Sequence, residues 1–184
     1  FDLRRNASPL RATSREVWMS MVTGTGVANR EGSAKARWSL EVGGAAHLPL
    51  ISRWAVMVAA TGKSLVTDEV MLVPAELFRV GGQGSIRGYS DREFAFRSVA
   101  FGQLELLMYL GDQTSLYVFG DGGAGFTDKI TFHRSDRTVL LGYGVGIRAP
   151  TRIGTLSIEW ARNAKETRGL GRIHFGFKTP LSAQ

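Results

Sequence analysis

The chain has 184 residues, of which 23 are glycine, none is cysteine and 43% are hydrophobic. This length fits a single domain, and the composition suits a protein of strands and turns while excluding a disulfide framework. The net charge of +7 comes from lysines and arginines scattered along the chain without a basic run, which argues against nucleic acid as a partner.

The start of the chain and its apolar runs limit how it could meet a membrane. The longest clear apolar run, Trp54 to Ala60, is much shorter than the roughly 18 residues of a membrane-spanning helix. Insertion would therefore depend on strands. Because the chain begins at Phe1 without Met and without a basic and apolar leader, we expect a processed mature form or a fragment of a longer protein.

Apolar residues recur at every second position along most of the chain, which predicts strands and almost no helix. In Val139 to Arg148 the odd positions are apolar, and glycines occupy three of the even positions, 142, 144 and 146. Glycines make a poor face toward water but suit a crowded barrel interior. In chain order, the predicted strands are Glu16–Gly26, Ala36–Leu48, Arg53–Leu65, Ser98–Leu110, Ser115–Phe126, Arg137–Pro150, Thr155–Ala161 and Gly169–Lys178.

This count of eight strands is even, and short turns alternate with longer loops along the chain. Both features are typical of barrels that cross an outer membrane, with apolar side chains toward lipid and polar ones toward the lumen. The sequence therefore predicts an all-β, antiparallel transmembrane β-barrel with eight strands per chain. We expect residues 1–184 to form this one domain, without a separate periplasmic domain, and outer-membrane lipid to surround it.

The third and fourth predicted strands are joined by a long glycine-rich loop, Val66 to Arg97. Around Arg87 it contains glycines that allow backbone conformations forbidden to other residues. These glycines are Gly81, Gly82, Gly84 and Gly88. The loop can therefore fold back on itself and present Arg87 in a defined direction.

Two motifs resemble those of the BamA/TamA outer-membrane assembly superfamily, the bacterial surface antigen family. Residues Ile86-Arg87-Gly88-Tyr89 are similar to the family's Val/Ile-Arg-Gly-Tyr/Phe motif in its long sixth loop, and Phe119-Gly120-Asp121-Gly122-Gly123 matches its Phe-x-Asp-x-Gly motif. The resemblance covers the last eight strands of a barrel that usually has sixteen. It implies an integral protein of the outer membrane of a Gram-negative bacterium or a derived organelle.

The alternation of side chains along the strands predicts which carboxylates can contact Arg87. It places Phe119, Asp121 and Gly123 on the polar face. A guanidinium inside a barrel needs a carboxylate, and its planar fork suits bidentate contact. Asp121 is the first expected partner, and the inward-facing Glu105 and Glu159 are second-rank candidates. A salt bridge that only holds the loop and a direct role in transport both remain open.

The number of strands conflicts with the length of the loop. Eight strands enclose a lumen just wide enough for side chains, so a loop of some thirty residues cannot also lie inside. We expect that the loop packs above a small closed barrel or that two chains join into a wider one. A lone half-barrel in lipid would leave two unsatisfied strand edges. A homo-oligomer, a larger barrel assembly and a fragment of a larger chain stay open.

The resemblance implies that the protein assists insertion or translocation of other outer-membrane proteins, with unfolded clients as partners. It also implies lateral opening at the seam between the first and last strands, where an incoming strand would pair by β-augmentation. Glycines near that seam, Gly24, Gly26, Gly169 and Gly171, would weaken its pairing. The alternative is a structural barrel that serves as a membrane anchor or oligomeric scaffold without insertase activity.

The residues that could be combined into a catalytic or metal site have simpler explanations. Ser157, Glu159 and His174 face inward on adjacent predicted strands, but a lumen ordinarily contains polar residues and nothing marks Ser157 as an activated nucleophile. The histidines His47, His133 and His174 lack the spacing of metal ligands. We therefore expect no enzyme activity, no metal site and no cofactor.

Overall fold

The computed structural model describes residues 14–27, 34–67, 76–110, 114–127, 137–166 and 169–179. These residues form an all-β, antiparallel structure, which confirms that part of the prediction. The strands are β1 Ser14–Val27, β2 Ala34–Pro49, β3 Trp54–Thr67, β4 Phe78–Val80, β5 Phe94–Phe96, β6 Ser98–Tyr109, β7 Ser115–Phe126, β8 Arg137–Thr151, β9 Gly154–Asn163 and β10 Arg172–Lys178. Within the described ranges, no helix is long and apolar enough to span a membrane.

The principal sheet has eight strands in the order β1-β2-β3-β6-β7-β8-β9-β10, and each neighbouring pair is antiparallel. Among the described residues, β1 pairs only with β2 and β10 only with β9. The sheet therefore has two open edges in this part of the chain. Closure of one chain into a barrel is not found there.

Side chains alternate between two faces of the sheet, and the polar ones lie on the covered face. On β7, Tyr117, Phe119 and Asp121 are buried, whereas Leu116 and Val118 are exposed. We call the side of the buried residues the inner face and the opposite side the outer face. Soluble proteins show the reverse arrangement, and exposed apolar residues beside buried charges are what a strand between lipid and a polar interior presents.

Most strand boundaries differ from the sequence prediction by one to three residues, and two of these differences bear on the loop. The last strand begins at Arg172 rather than Gly169, because Gly171 has a φ of +81° and interrupts extended pairing. The preceding strand is longer than predicted and runs from Gly154 to Asn163. Arg172 and Asn163 are therefore placed where these two strands approach the loop.

The long loop contains a hairpin of its own, which the sequence analysis did not predict. Strands β4 and β5 pair as a separate two-stranded sheet, and each has only three residues, too few for a periodic pattern. The segment 81–93 between them, here called the motif loop, folds onto the inner face. A buried apolar cluster joins loop and sheet: Val80, Ile86, Tyr89, Phe96, Val99 and Leu140.

Of the two expected arrangements, a loop packed above a small closed barrel and two chains joined into a wider one, the placement of the motif loop contradicts the first. It lies against β6 to β10, and Ile86 and Arg87 are almost completely buried there. Glycines of the sheet provide the space: at Gly125 a Cβ would collide with the ring of Phe96, and at Gly142 with the carbonyl oxygen of Arg87. A small lumen filled only by side chains is incompatible with this packing.

Candidate functional site

The guanidinium of Arg87 is the centre of the buried polar network on the inner face. Its Nε donates to Asp121 Oδ2 and its Nη2 donates to Asp121 Oδ1, both at 2.7 Å. The backbone N–H of Arg87 also donates to Asp121 Oδ2, at 2.9 Å. This bidentate pair fixes both the side chain and the backbone of the motif loop against β7.

Two further carboxylates contact the remaining guanidinium nitrogen. Arg87 Nη1 donates to Glu105 Oε1 at 2.6 Å and to Glu159 Oε1 at 3.0 Å. All three carboxylate side chains are at most 3% exposed. Arg87 therefore bridges β6, β7 and β9 at once, and each second-rank carboxylate lies in contact with it beside Asp121.

Aromatic rings and a second arginine complete the network. The Cζ atom of Arg87 lies 3.5 Å from the ring centroid of Phe119, which is a cation–π geometry. Arg148 donates to Glu105 Oε2 at 3.0 Å and stacks over Tyr117. The network thus contains three carboxylates and two guanidinium groups. Each of these five charged groups contacts at least one group of opposite charge.

The charge of Arg87 is stabilised by this environment. Burial lowers the pKa of Arg87, but the hydrogen bond and charge of Asp121, followed by the charges of Glu105 and Glu159, raise that pKa above its ordinary value. The guanidinium is therefore a permanent cation. Its removal would leave buried carboxylates without their main partner.

Tyr117 adds a neutral donor to the same network. Its hydroxyl donates to Glu159 Oε1 at 2.7 Å. The other oxygen, Glu159 Oε2, is buried and has no hydrogen-bond partner among the described residues. Among the described residues, the hydrogen bonds to Glu159 thus come from the Tyr117 hydroxyl and from Arg87.

We expect Tyr117→Phe to lower the free energy of unfolding by about 1.5–3 kcal/mol, because a hydrogen bond to a buried charge is lost. The matched control is Tyr109→Phe, which removes a hydroxyl in contact with the Nε2 atom of His47 at 3.0 Å. That loss should be about 1 kcal/mol. Equal losses in urea unfolding of the two variants would contradict the role given to Tyr117.

The predicted loop glycines divide into two groups. Gly81, Gly82 and Gly88 have φ values of +129°, +82° and +89°, in the region that favours glycine. Gly84 has open space around its Cβ direction and no positive φ, so this position does not need a glycine. On β7, a Cβ at Gly123 would lie 2.7 Å from Ile86 Cδ1; this glycine admits the loop's apolar anchor.

Tyr89 ends the motif by attaching the loop to β8. Its hydroxyl lies 3.4 Å from the carbonyl oxygen of Leu141 and accepts from the Leu141 N–H at 3.3 Å. Its ring packs edge-on against Phe94, with centroids 5.2 Å apart. Tyr89 thus links β5, the motif loop and the sheet.

Several contacts of the loop were missed by the sequence analysis. Gln83 donates to Ser157 Oγ at 2.8 Å, and Gln103 donates to the carbonyl oxygen of Ser85 at 2.8 Å. Asn163 and Arg172 both donate to the carbonyl oxygen of Gly88. Alternation could have placed Asn163 and Ser157 on the inner face, but only the docked loop identifies their partners.

The three residues of the hypothetical hydrolytic triad have other partners. Ser157 accepts from Gln83, His174 Nε2 accepts from the N–H of Gly88 at 3.3 Å, and Glu159 accepts from Arg87. In the described part of the chain, no group of three His, Cys, Asp or Glu residues could hold a metal ion. His133 lies outside the described residues.

Fold and site together define a class of protein: an antiparallel β-wall with an apolar outer face, whose inner face holds a long loop through a buried arginine. Residues 15–179 match the Omp85 superfamily domain. The chain belongs to the Omp85 superfamily. This family assignment confirms the resemblance to the BamA/TamA superfamily.

Two curated relatives are chloroplast proteins of Arabidopsis thaliana. The chain is 28% identical over 180 residues to outer envelope protein 80, with 85% of this chain and 23% of that protein covered. It is 27% identical over 143 residues to outer envelope protein 39, with 64% of this chain and 39% of that protein covered. The chain therefore spans much less than the full length of either relative.

Proposed function

We propose that the chain forms part of the wall of an outer-membrane β-barrel that assists the insertion or translocation of other outer-membrane proteins. The observation that supports this most is the motif loop, held across β6, β7 and β9 by Arg87 beside the open edge of β10. The membrane is that of a Gram-negative bacterium or a derived organelle, as the outer envelope names of the relatives suggest.

The barrel is wider than one closed ring of these eight strands. The motif loop occupies the inner face where a small lumen would be, and β1 and β10 each have an edge without a partner among the described residues. In lipid every unsatisfied backbone group costs several kcal/mol. Additional strands, from a second copy or from a longer chain, complete the wall.

The mechanism is lateral opening at the edge of β10. This strand has only seven residues, and Gly169 and Gly171 precede it, so its pairing is short and easily broken. A client strand arriving from the periplasmic side pairs with the free backbone groups of this edge by β-augmentation. No chemical step, metal, cofactor or nucleic acid is part of this function.

The test is photo-crosslinking from the edge strand in living cells. A crosslinking amino acid at Phe175, an exposed residue of β10, should capture newly synthesised outer-membrane proteins. The control position is Val118, which is similarly exposed on the same face but lies in the central strand β7. Position 175 should yield at least several-fold more client adducts.

Depletion of the protein provides the second arm. If the protein is an insertase, its depletion should lower the levels of other β-barrel proteins in the membrane. Normal levels of other barrels, together with adducts only to lipid or to a second copy, would reject the insertase proposal and support an anchor or scaffold.

A further inference from the structure

Both backbone polar groups of Gly88 are bound by side chains from the last two strands. The carbonyl oxygen accepts from Asn163 Nδ2 at 2.9 Å and from Arg172 Nη1 at 2.7 Å. The N–H donates to His174 Nε2 at 3.3 Å. Gly88 is therefore a residue at which the motif loop is attached to both β9 and β10.

The residue at this point has to be glycine for two reasons. Its φ of +89° is unfavourable for other residues. A Cβ would also lie 2.5 Å from the carbonyl group of Arg162 and 2.7 Å from the backbone nitrogen of Asn163. The loop backbone thus packs directly on the backbone of β9, and a side chain would push it away.

The groups that bind Gly88 are themselves held in place. Arg172 forms a two-point ion pair with Glu166, at 2.7 and 3.0 Å. Asn163 Oδ1 accepts from the backbone N–H groups of Lys165 and Glu166, at 3.1 and 2.8 Å. The adjoining ends of β9 and β10 therefore present two oriented donors to the loop, and holding these donors in place lowers the entropy cost of docking.

The same contacts restrain the edge of the sheet. β10 pairs with one strand, β9, among the described residues, so its other restraints come from side chains. Arg172 is its first residue and His174 its third, and both contact Gly88. Among the described residues, release of the loop would leave β10 with its pairing to β9 and the ion pair between Arg172 and Glu166.

We propose that Gly88 couples the motif loop to the edge strand: the docked loop keeps β10 ordered, and an undocked loop loosens the edge at which another strand pairs. Asn163, Arg172 and His174 are the positioning residues of this coupling. A role of this coupling in lateral opening at β10 rests on the proposed function, but the coupling itself can be measured in the purified protein. Because coupling is reciprocal, a change in the motif loop must alter β10, and a change in β10 must alter the motif loop.

Amide hydrogen exchange of the purified protein in lipid nanodiscs tests the coupling from both sides. Arg172→Ala should raise exchange in the motif loop by about fivefold, as expected for the one hydrogen bond that the loop loses. Exchange should rise at least as much in β10, which also loses the ion pair with Glu166. Gly88→Ala, which leaves all residues of β10 unchanged, should raise exchange in β10. The matched control is Arg152→Ala, which removes an exposed arginine from the turn at the opposite end of β9.

The coupling is rejected if Gly88→Ala loosens the loop while exchange in β10 stays at its original rate. It is equally rejected if Arg172→Ala affects β10 alone. Should Gly88→Ala not fold, the loop readout of Arg172→Ala decides the question. Coupled exchange without client adducts at position 175 would reject the insertase function and leave the coupling standing.

Discussion

Arg87→Ala is expected to lower the free energy of unfolding by about 3–5 kcal/mol and to release the motif loop from the inner face. Removal of one partner from a buried ion pair leaves uncompensated charge, and this costs more than the net value of the pair. Here Asp121, Glu105 and Glu159 all lose a contact to the guanidinium. Urea unfolding from lipid vesicles measures the loss, and protease cleavage in segment 81–93 reports loop release.

A double-mutant cycle separates pairing from other effects of the substitution. Asp121→Ala alone should cost less than Arg87→Ala, because Glu105 and Glu159 still neutralise the guanidinium. The double variant should lose less stability than the sum of the two single losses. Additive losses would contradict a direct interaction between Arg87 and Asp121.

Arg87→Lys distinguishes charge from geometry. Lysine keeps the positive charge but lacks the planar fork that reaches both oxygens of Asp121 and the two glutamates at once. Arg87→Lys should therefore lower the free energy of unfolding, but by less than Arg87→Ala does. Arg152→Ala, at an exposed turn, should change stability by no more than about 0.5 kcal/mol.

The composition of the network follows from strand alternation, which is visible in the sequence. Glu105 and Glu159 occupy inward positions because apolar residues flank each of them on its strand. Asp121 lies two residues after Phe119 and therefore shares its inward face. Alternation does not predict the register, that is, which residues of neighbouring strands lie opposite each other. In the observed register, Asp121 lies opposite Gln103 and Gly142, whereas Glu105 lies opposite Phe119.

The reach of Arg87 to Glu159 depends on the strand between β7 and β9. Residues Gly142, Gly144 and Gly146, here called the glycine column, occupy the inward positions of β8. Glu159 is paired with Gly146, so no side chain separates it from the β7 side of the network. The sequence indicated a crowded interior at these glycines, but not that the loop itself would fill it.

The sequence left two placements of the loop open, above a small closed barrel or with two chains joined into a wider one. A closed ring of eight strands has no room for the loop inside it. The described sheet is open at β1 and β10, and an open wall has room for a loop on its inner face. The number of strands in one chain therefore does not by itself predict where the loop lies.

Gly142→Ala is expected to destabilise the protein by about 1–3 kcal/mol and to expose the motif loop to protease, although only one methyl group is added. The new Cβ would overlap the carbonyl oxygen of Arg87 and lie 3.0 Å from its carbonyl carbon. These are backbone atoms of a loop held by Asp121, so they cannot move aside without breaking the network.

Gly120→Ala is the matched control, because Gly120 lies on the adjacent strand, next to Asp121, but faces outward with nothing within 4 Å of its Cβ direction. The added methyl group there should leave stability unchanged or raise it slightly, since alanine reduces the freedom of the unfolded chain. Loss of loop protection in Gly142→Ala alone would show that the methyl group acts through the docked loop. Equal losses in both variants would instead indicate a general cost of replacing glycine in these strands, and would remove the glycine column from the explanation of how Arg87 reaches its partners.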